Sequence, residues 1–259
     1  MRGIVLSAAL AALCLPLAAA DNKDDVNPQE IITKFAAKEA EFREARNNYT
    51  YRQSLKLEEL DSGGSPTGGK WELVEDIIFT PEGKRMEKVV YAPVQNLRQI
   101  IITPSDENDL RNIQPFVLTT AEIPDYDISY LGREKVDEIG TYTFSVKPKK
   151  MVTGKRYFEG EIWVDDRDLQ IVKTYGKGVG IKKGDEQFPK FETYREQVDG
   201  KYWFPTYTHA DDTLHFKNGP VRIRETVKYQ DYKHYEGKTT IHYGDVVDDK
   251  SPATPPKKK

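Results

Sequence analysis

Three clusters in this sequence carry residue types that could do chemistry, and each lacks a part that the chemistry requires. Asp165, Asp166 and Asp168 supply hard oxygen ligands, as a calcium loop would. An EF-hand spreads such ligands over about twelve residues around a central Gly and ends on a Glu. Neither follows here, so the three read as a solvated turn between strands. His209 with Asp211 and Asp212 offers metal ligands, but zinc needs three or four that converge. The other histidines, His215, His234 and His242, form no H-E-x-x-H pair. Gly176-Lys177-Gly178-Val179-Gly180 looks like a phosphate loop without its G-K-[ST] ending or a following helix, and reads as a loop running on to Gly184. A serine nucleophile on a G-x-S-x-G elbow is absent. Nothing points to a cofactor, a metal or a catalytic centre, and the expectation is a non-enzyme.

The aromatic residues say more. Tyr49, Tyr51, Trp71, Phe79, Tyr126, Tyr130, Tyr142, Phe144, Trp163, Phe191 and Tyr202 fall on alternating segments. They either fill a closed core or partly line an apolar concavity, since ligand pockets are also apolar and aromatic.

The elements that position them follow from periodicity. Asn27 caps a helix with Pro28 at its first position and Glu30 in its first turn. Ile31, Phe35, Phe42 and Ala45 then share one stripe up to Arg46. From Tyr49 the period becomes two, and Tyr49, Tyr51, Leu55 and Leu57 alternate with polar residues. Gly and Ser around 62–69 turn the chain into a second strand bearing Trp71, Leu73, Ile77 and Phe79. Pro81-Glu82-Gly83-Lys84 turns it into a third. A short strand is expected at 97–102, then a helix-like insertion with Leu110, Ile113, Phe116 and Val117. Strand patterning resumes at Tyr126 and recurs through Tyr232, for about ten antiparallel strands in all.

The first twenty residues read as a secretory signal. Arg2 is followed by an uncharged apolar run and Ala18-Ala19-Ala20 before Asp21. That run is shorter than the roughly 20 apolar residues of a spanning helix. Cys14, the one cysteine, lacks the small preceding residue of an acylated lipoprotein, because Leu13 precedes it. From Asp21 onward the chain has no cysteine, so in an oxidising compartment its stability rests on packing. The length of 259 residues suits one β domain over 21–247, followed by a disordered Pro/Lys tail at 248–259. The net charge of −3, with no basic block before the tail, argues against nucleic acid as a partner. Mean hydropathy is −0.69, and no later apolar run reaches spanning length.

The segment FEGEIWVDDRDLQIVKTYGK at 158–177, YLGREKVDEIGTYTFSVKPKK at 130–150 and GKYWFPTY at 200–207 together resemble the LolA-type lipoprotein-carrier superfamily over 28–232. The likeness lies in a Gly-x-Ile-Trp-Val-Asp strand, a turn, an Ile-Val-Lys strand and a later Trp-Phe-Pro strand. It implies an incomplete β-barrel whose concave face is covered by the N-terminal helix and the insertion and holds acyl chains. Members include periplasmic carriers that move lipoproteins to the outer membrane, and envelope sensors that detect mislocalised lipids or lipoproteins. In the carriers a first-strand arginine helps hold the helical lid; Arg52 occupies the comparable strand, in the phase opposite Tyr51. The chain departs from the carriers in its length beyond Tyr207 and in its basic tail.

These readings converge on an exported periplasmic or envelope protein that takes lipid or lipoprotein acyl chains. The expected ligand-binding residues are Tyr49, Tyr51, Leu55, Leu57, Trp71, Leu73, Ile77, Phe79, Tyr142 and Phe144. Residues two apart on a strand share a face, so the members of the first hairpin should point to one side. The rival expectations are an envelope assembly or stress-sensing factor binding a protein, and a hydrolase acting on envelope polymers.

Overall fold

The computed structural model describes residues 27–80, 84–180 and 187–235. The expected leader, the tail, the tip of the second turn and His242 lie outside them. Helix α1 (Pro28–Arg46) begins where Asn27 Oδ1 accepts a hydrogen bond from the Glu30 amide at 3.3 Å. Its buried stripe is Ile31, Ile32, Phe35, Ala36, Glu39 and Phe42. The chain then enters strands β1 (Tyr49–Leu60), β2 (Pro66–Phe79) and β3 (Arg85–Tyr91). An insertion follows, made of α2 (Pro104–Asn108) running into a π-helical turn, Asp109–Ile113. Seven more strands complete the described chain: β4 (Tyr126–Val136), β5 (Ile139–Pro148), β6 (Tyr157–Asp165), β7 (Ile171–Val179), β8 (Phe191–Gln197), β9 (Trp203–Phe216) and β10 (Gly219–His234).

All ten strands join one open antiparallel sheet in the order β3-β2-β1-β10-β9-β8-β7-β6-β5-β4. The register puts Tyr51 opposite Ile77, Leu55 opposite Leu73 and Leu57 opposite Trp71. Continuing across β10, Leu55 meets Val227 and Leu57 meets Glu225. These residues therefore share one face, here called the inner face. Both helical elements cover it: Phe35 of α1 packs on Phe144 at 5.6 Å between ring centroids. Leu110 of the insertion packs with Tyr51, Leu55, Ile77, Val227 and Tyr229. The opposite face carries charge pairs such as Arg52–Asp76 at 2.8 Å and Arg224–Asp211 at 3.0 Å, as expected for a sheet wet on one side.

Three local expectations are corrected. Residues 97–102 form no strand, because three successive amides there turn to a single carboxylate, as described below, and cannot also join a ladder. The loop expected from Gly176 begins later, since β7 continues to Val179. Gly176 and Gly178 serve that strand by leaving room: a Cβ on Gly176 would strike the Phe158 ring, and one on Gly178 would strike the Asp109 carboxylate. Finally, Tyr202–His209 and Thr213–Phe216, read as two strands, are one continuous β9. Among the described residues no helix is long and apolar enough to cross a membrane.

Candidate functional site: a roofed cavity on the inner face

A cavity of about 610 Å³ lies on the inner face, over β1, β2, β9 and β10. This is within the usual volume range of small-molecule sites. Leu57, Trp71, Leu214, Val221 and Ile223 form its floor, while Phe188 and Phe191 close one side. Its roof is the extended strap 98–103 with the start of the insertion, which contributes Ile100, Ile102 and Leu110.

The strap is held by Glu59, at the far end of β1. Glu59 lies on the inner-face phase and is fully buried. Its Oε1 accepts hydrogen bonds from the amides of Arg98, Gln99 and Ile100 at 2.9, 2.7 and 3.2 Å. Three donors on one carboxylate oxygen satisfy a run of backbone that has no ladder partner. Thr103 then starts α2 through a capping box with Asp106, and Asn96 accepts from the Lys70 amide at 2.8 Å.

The insertion is fastened at further points, among them three that tie it to the cavity wall, to α1 and to the sheet. Arg156 donates to Asp109 at 3.0 and 2.6 Å, and its guanidinium lies 3.8 Å above the Phe188 ring. Burial raises the Asp109 carboxyl above its usual range, with Arg156 opposing the rise. Gln114 Nε2 donates to Glu225 on the cavity wall, and the Gln114 carbonyl accepts from Thr193 Oγ1 at 2.9 Å. Arg195 of β8 donates to Glu39 of α1 at 3.0 and 3.1 Å, and also to the Phe116 carbonyl. Arg195 therefore ties helix, insertion and sheet together. The lid-holding part that the family resemblance suggested for the first-strand arginine falls here to a different strand; Arg52 points outward to Asp76.

Of the ten expected ligand-binding residues, Leu57 and Trp71 line this cavity. Leu55, Leu73 and Trp71 border a smaller recess of about 110 Å³ beneath Leu110. Tyr51 and Phe79 edge an arginine-lined recess of about 410 Å³ beside Arg43, Arg46 and Arg85. Ile77 is enclosed in the core at 0% exposure. Phe144 is buried under α1 and Tyr142 is half-buried beside Tyr130. Tyr49 packs against Phe204 at 4.6 Å and donates its hydroxyl to Asp199. The cavity is thus built mostly from residues outside that set. The strand phase Val221, Ile223, Glu225, Val227, Tyr229 held a signal for one of them: Glu225 is the single charge on an otherwise apolar face.

Among the described residues no group of three or more His, Cys, Asp or Glu is arranged to hold a metal ion. What the arrangement can do is enclose an apolar chain beside a small buried polar pair.

No family model matches the chain, and no curated protein matches it. Among solved structures it is similar to a DUF1329 family protein from Desulfovibrio piger, at 14% identity and a TM-score of 0.46, covering 82% of this chain and 95% of that one. It is also similar to a LolA superfamily protein from Nitrosomonas europaea, at 14% identity and TM-score 0.35, covering 82% and 94%. A third is an outer membrane lipoprotein-sorting protein domain from Vibrio parahaemolyticus, at 13% identity and TM-score 0.37, covering 79% and 94%. The LolA-type likeness seen in the sequence is thus also met among structures, at low identity.

Proposed function

We propose that this protein is a non-enzymatic, carrier-like protein of the periplasm or cell envelope that shelters acyl chains of lipids or lipoproteins during outer-membrane lipoprotein sorting. The observation that carries the reading is the roofed cavity of about 610 Å³ with its apolar floor and strap. Each buried CH₂ contributes about 0.8 kcal/mol, so a chain of moderate length is held reversibly after the costs of association. The leader-like first twenty residues support an exported location, and cell fractionation tests it.

The direct test is titration with a neutral fluorescent acyl probe. Saturable binding is expected, with Val221→Phe, which fills the cavity, weakening it at least tenfold while the melting transition is kept. Absence of saturable binding by the wild-type protein would sink the carrier reading. Co-purified lipid seen by native mass spectrometry would support it.

One observation favours a second reading, that the fold docks a protein partner. Strand β3 is a sheet edge, and Met86, Val89, Val90 and Tyr91 on it are about half exposed. An open edge with apolar side chains is a template for strand addition. Val90→Lys should abolish any partner capture while leaving acyl binding intact.

A further inference from the structure

The cavity wall carries a polar pair that the apolar-chain reading leaves unused. Glu225 and Gln114 both line the cavity at only 5% and 3% exposure. Gln114 spends its amide N–H on Glu225, which leaves Gln114 Oε1 buried with no hydrogen-bond partner among the described residues. A buried acceptor without a donor is unfavourable, so a donor arriving with a ligand recovers that cost. Asp106 and Asp109 also line the cavity, and their charges push against ionisation of Glu225. Arg156 is committed to Asp109 by two hydrogen bonds. Arg98, the one Lys or Arg among the described residues that line the cavity, sits on the exposed strap. The enclosed polar end is therefore rich in acceptors and negative charge. An N–H or O–H group brought by an organic ligand would complete Gln114 Oε1.

Resting on the acyl-cavity reading, we propose that the cavity selects single-chain amphiphiles whose head is a primary ammonium, with Glu225 and Gln114 Oε1 accepting its hydrogen bonds. A free fatty acid is disfavoured at the same place. Its carboxylate brings no donor to Gln114 Oε1 and adds a like charge beside Glu225 in a poorly solvated site.

The test is displacement of the neutral acyl probe at pH 8 by dodecylamine and by dodecanoate, each below its micelle concentration. Dodecylamine should displace the probe at a concentration at least tenfold lower. Glu225→Gln, which keeps shape and removes charge, should bring the two ligands within about threefold of each other. Should that variant not fold, the wild-type preference measured from pH 8 down to pH 5.5 serves instead, and should shrink as Glu225 takes up its proton. Equal displacement by both ligands, or an amine preference that survives Glu225→Gln, overturns head selection alone. Failure of the neutral probe itself to bind overturns the acyl-cavity reading, and this inference with it.

Discussion

Arg195 on β8 and Glu39 on α1 meet at 3.0 Å with both side chains out of solvent. Glu39 also accepts from the Ile171 amide at 3.2 Å, and the Arg195 guanidinium lies 5.1 Å from the Phe42 ring. Burial raises the Glu39 carboxyl above its usual range, and Arg195 is the main influence drawing it back. Removing one partner leaves the other charge buried and unpaired.

Arg195→Met alone should therefore destabilise the protein by about 3–5 kcal/mol, read as a shift in the urea midpoint. The double variant with Glu39→Leu should recover most of that loss, because two apolar groups need no partner. A double variant that loses as much as Arg195→Met and Glu39→Leu added together would show that the pair is not coupled.

Glu59→Ala tests the strap. Losing a charged acceptor shared by three amides should cost about 2–3 kcal/mol. The more specific readout is amide hydrogen exchange at Arg98, Gln99 and Ile100. Protection there should fall at least tenfold relative to β1, while Glu58→Ala on the opposite face leaves it unchanged.

The pH dependence of stability should carry the mark of Glu225. Burial pushes its carboxyl up from 4.5 to about 7, with Gln114 opposing the rise and Asp106 and Asp109 adding to it. Between those values the folded chain binds a proton that the unfolded chain has lost. Stability contributed by the neutral form is thus full at low pH, falls as pH rises through that window and levels off above about 7. The difference amounts to roughly 3 kcal/mol. Buried Glu39 and Asp109 are also raised and add to the slope. Urea midpoints from pH 5 to 8 should fall in the wild type, and Glu225→Gln should flatten part of that fall. An unchanged slope in the variant would rule Glu225 out as its source.

Leu57 and Ile77 were one group in the sequence, and the structure separates them. Ile77 is enclosed on every side, so Ile77→Ala should cost about 3–4 kcal/mol. Leu57 already borders empty space, so Leu57→Ala should cost about half as much while changing probe binding. Equal costs, measured by denaturant titration, would mean that the cavity is closed in solution.

Alternation alone reveals most of this architecture. Tyr51, Leu55, Leu57, Trp71, Leu73 and Ile77 do share a face, because that period is local and needs no tertiary information. The capped start of α1 at Asn27 is local in the same way. The roof is not, since the fate of 97–102 depends on Glu59, a residue nearly forty positions earlier. Nor is the burial of Glu39, although its spacing of four from Phe35 already put a charge on the core stripe of the helix. An acid at a core phase asks for a partner, and Arg195 becomes visible only once β8 is placed. Glu225 repeats that pattern on β10.

The pairing of β1 with β10 joins the first described strand to the last within the sheet. A chain synthesised from its N-terminus therefore presents the β1–β3 hairpins with one long edge of β1 bare until β10 has emerged. Loop closure over such a separation is slow, and a bare apolar strand edge invites pairing with other chains. Val221 and Ile223 of the cavity floor, and Glu225 of its wall, arrive with that strand. The cavity lacks these walls until β10 joins the sheet, so occupancy of the site reports that β1 and β10 have paired.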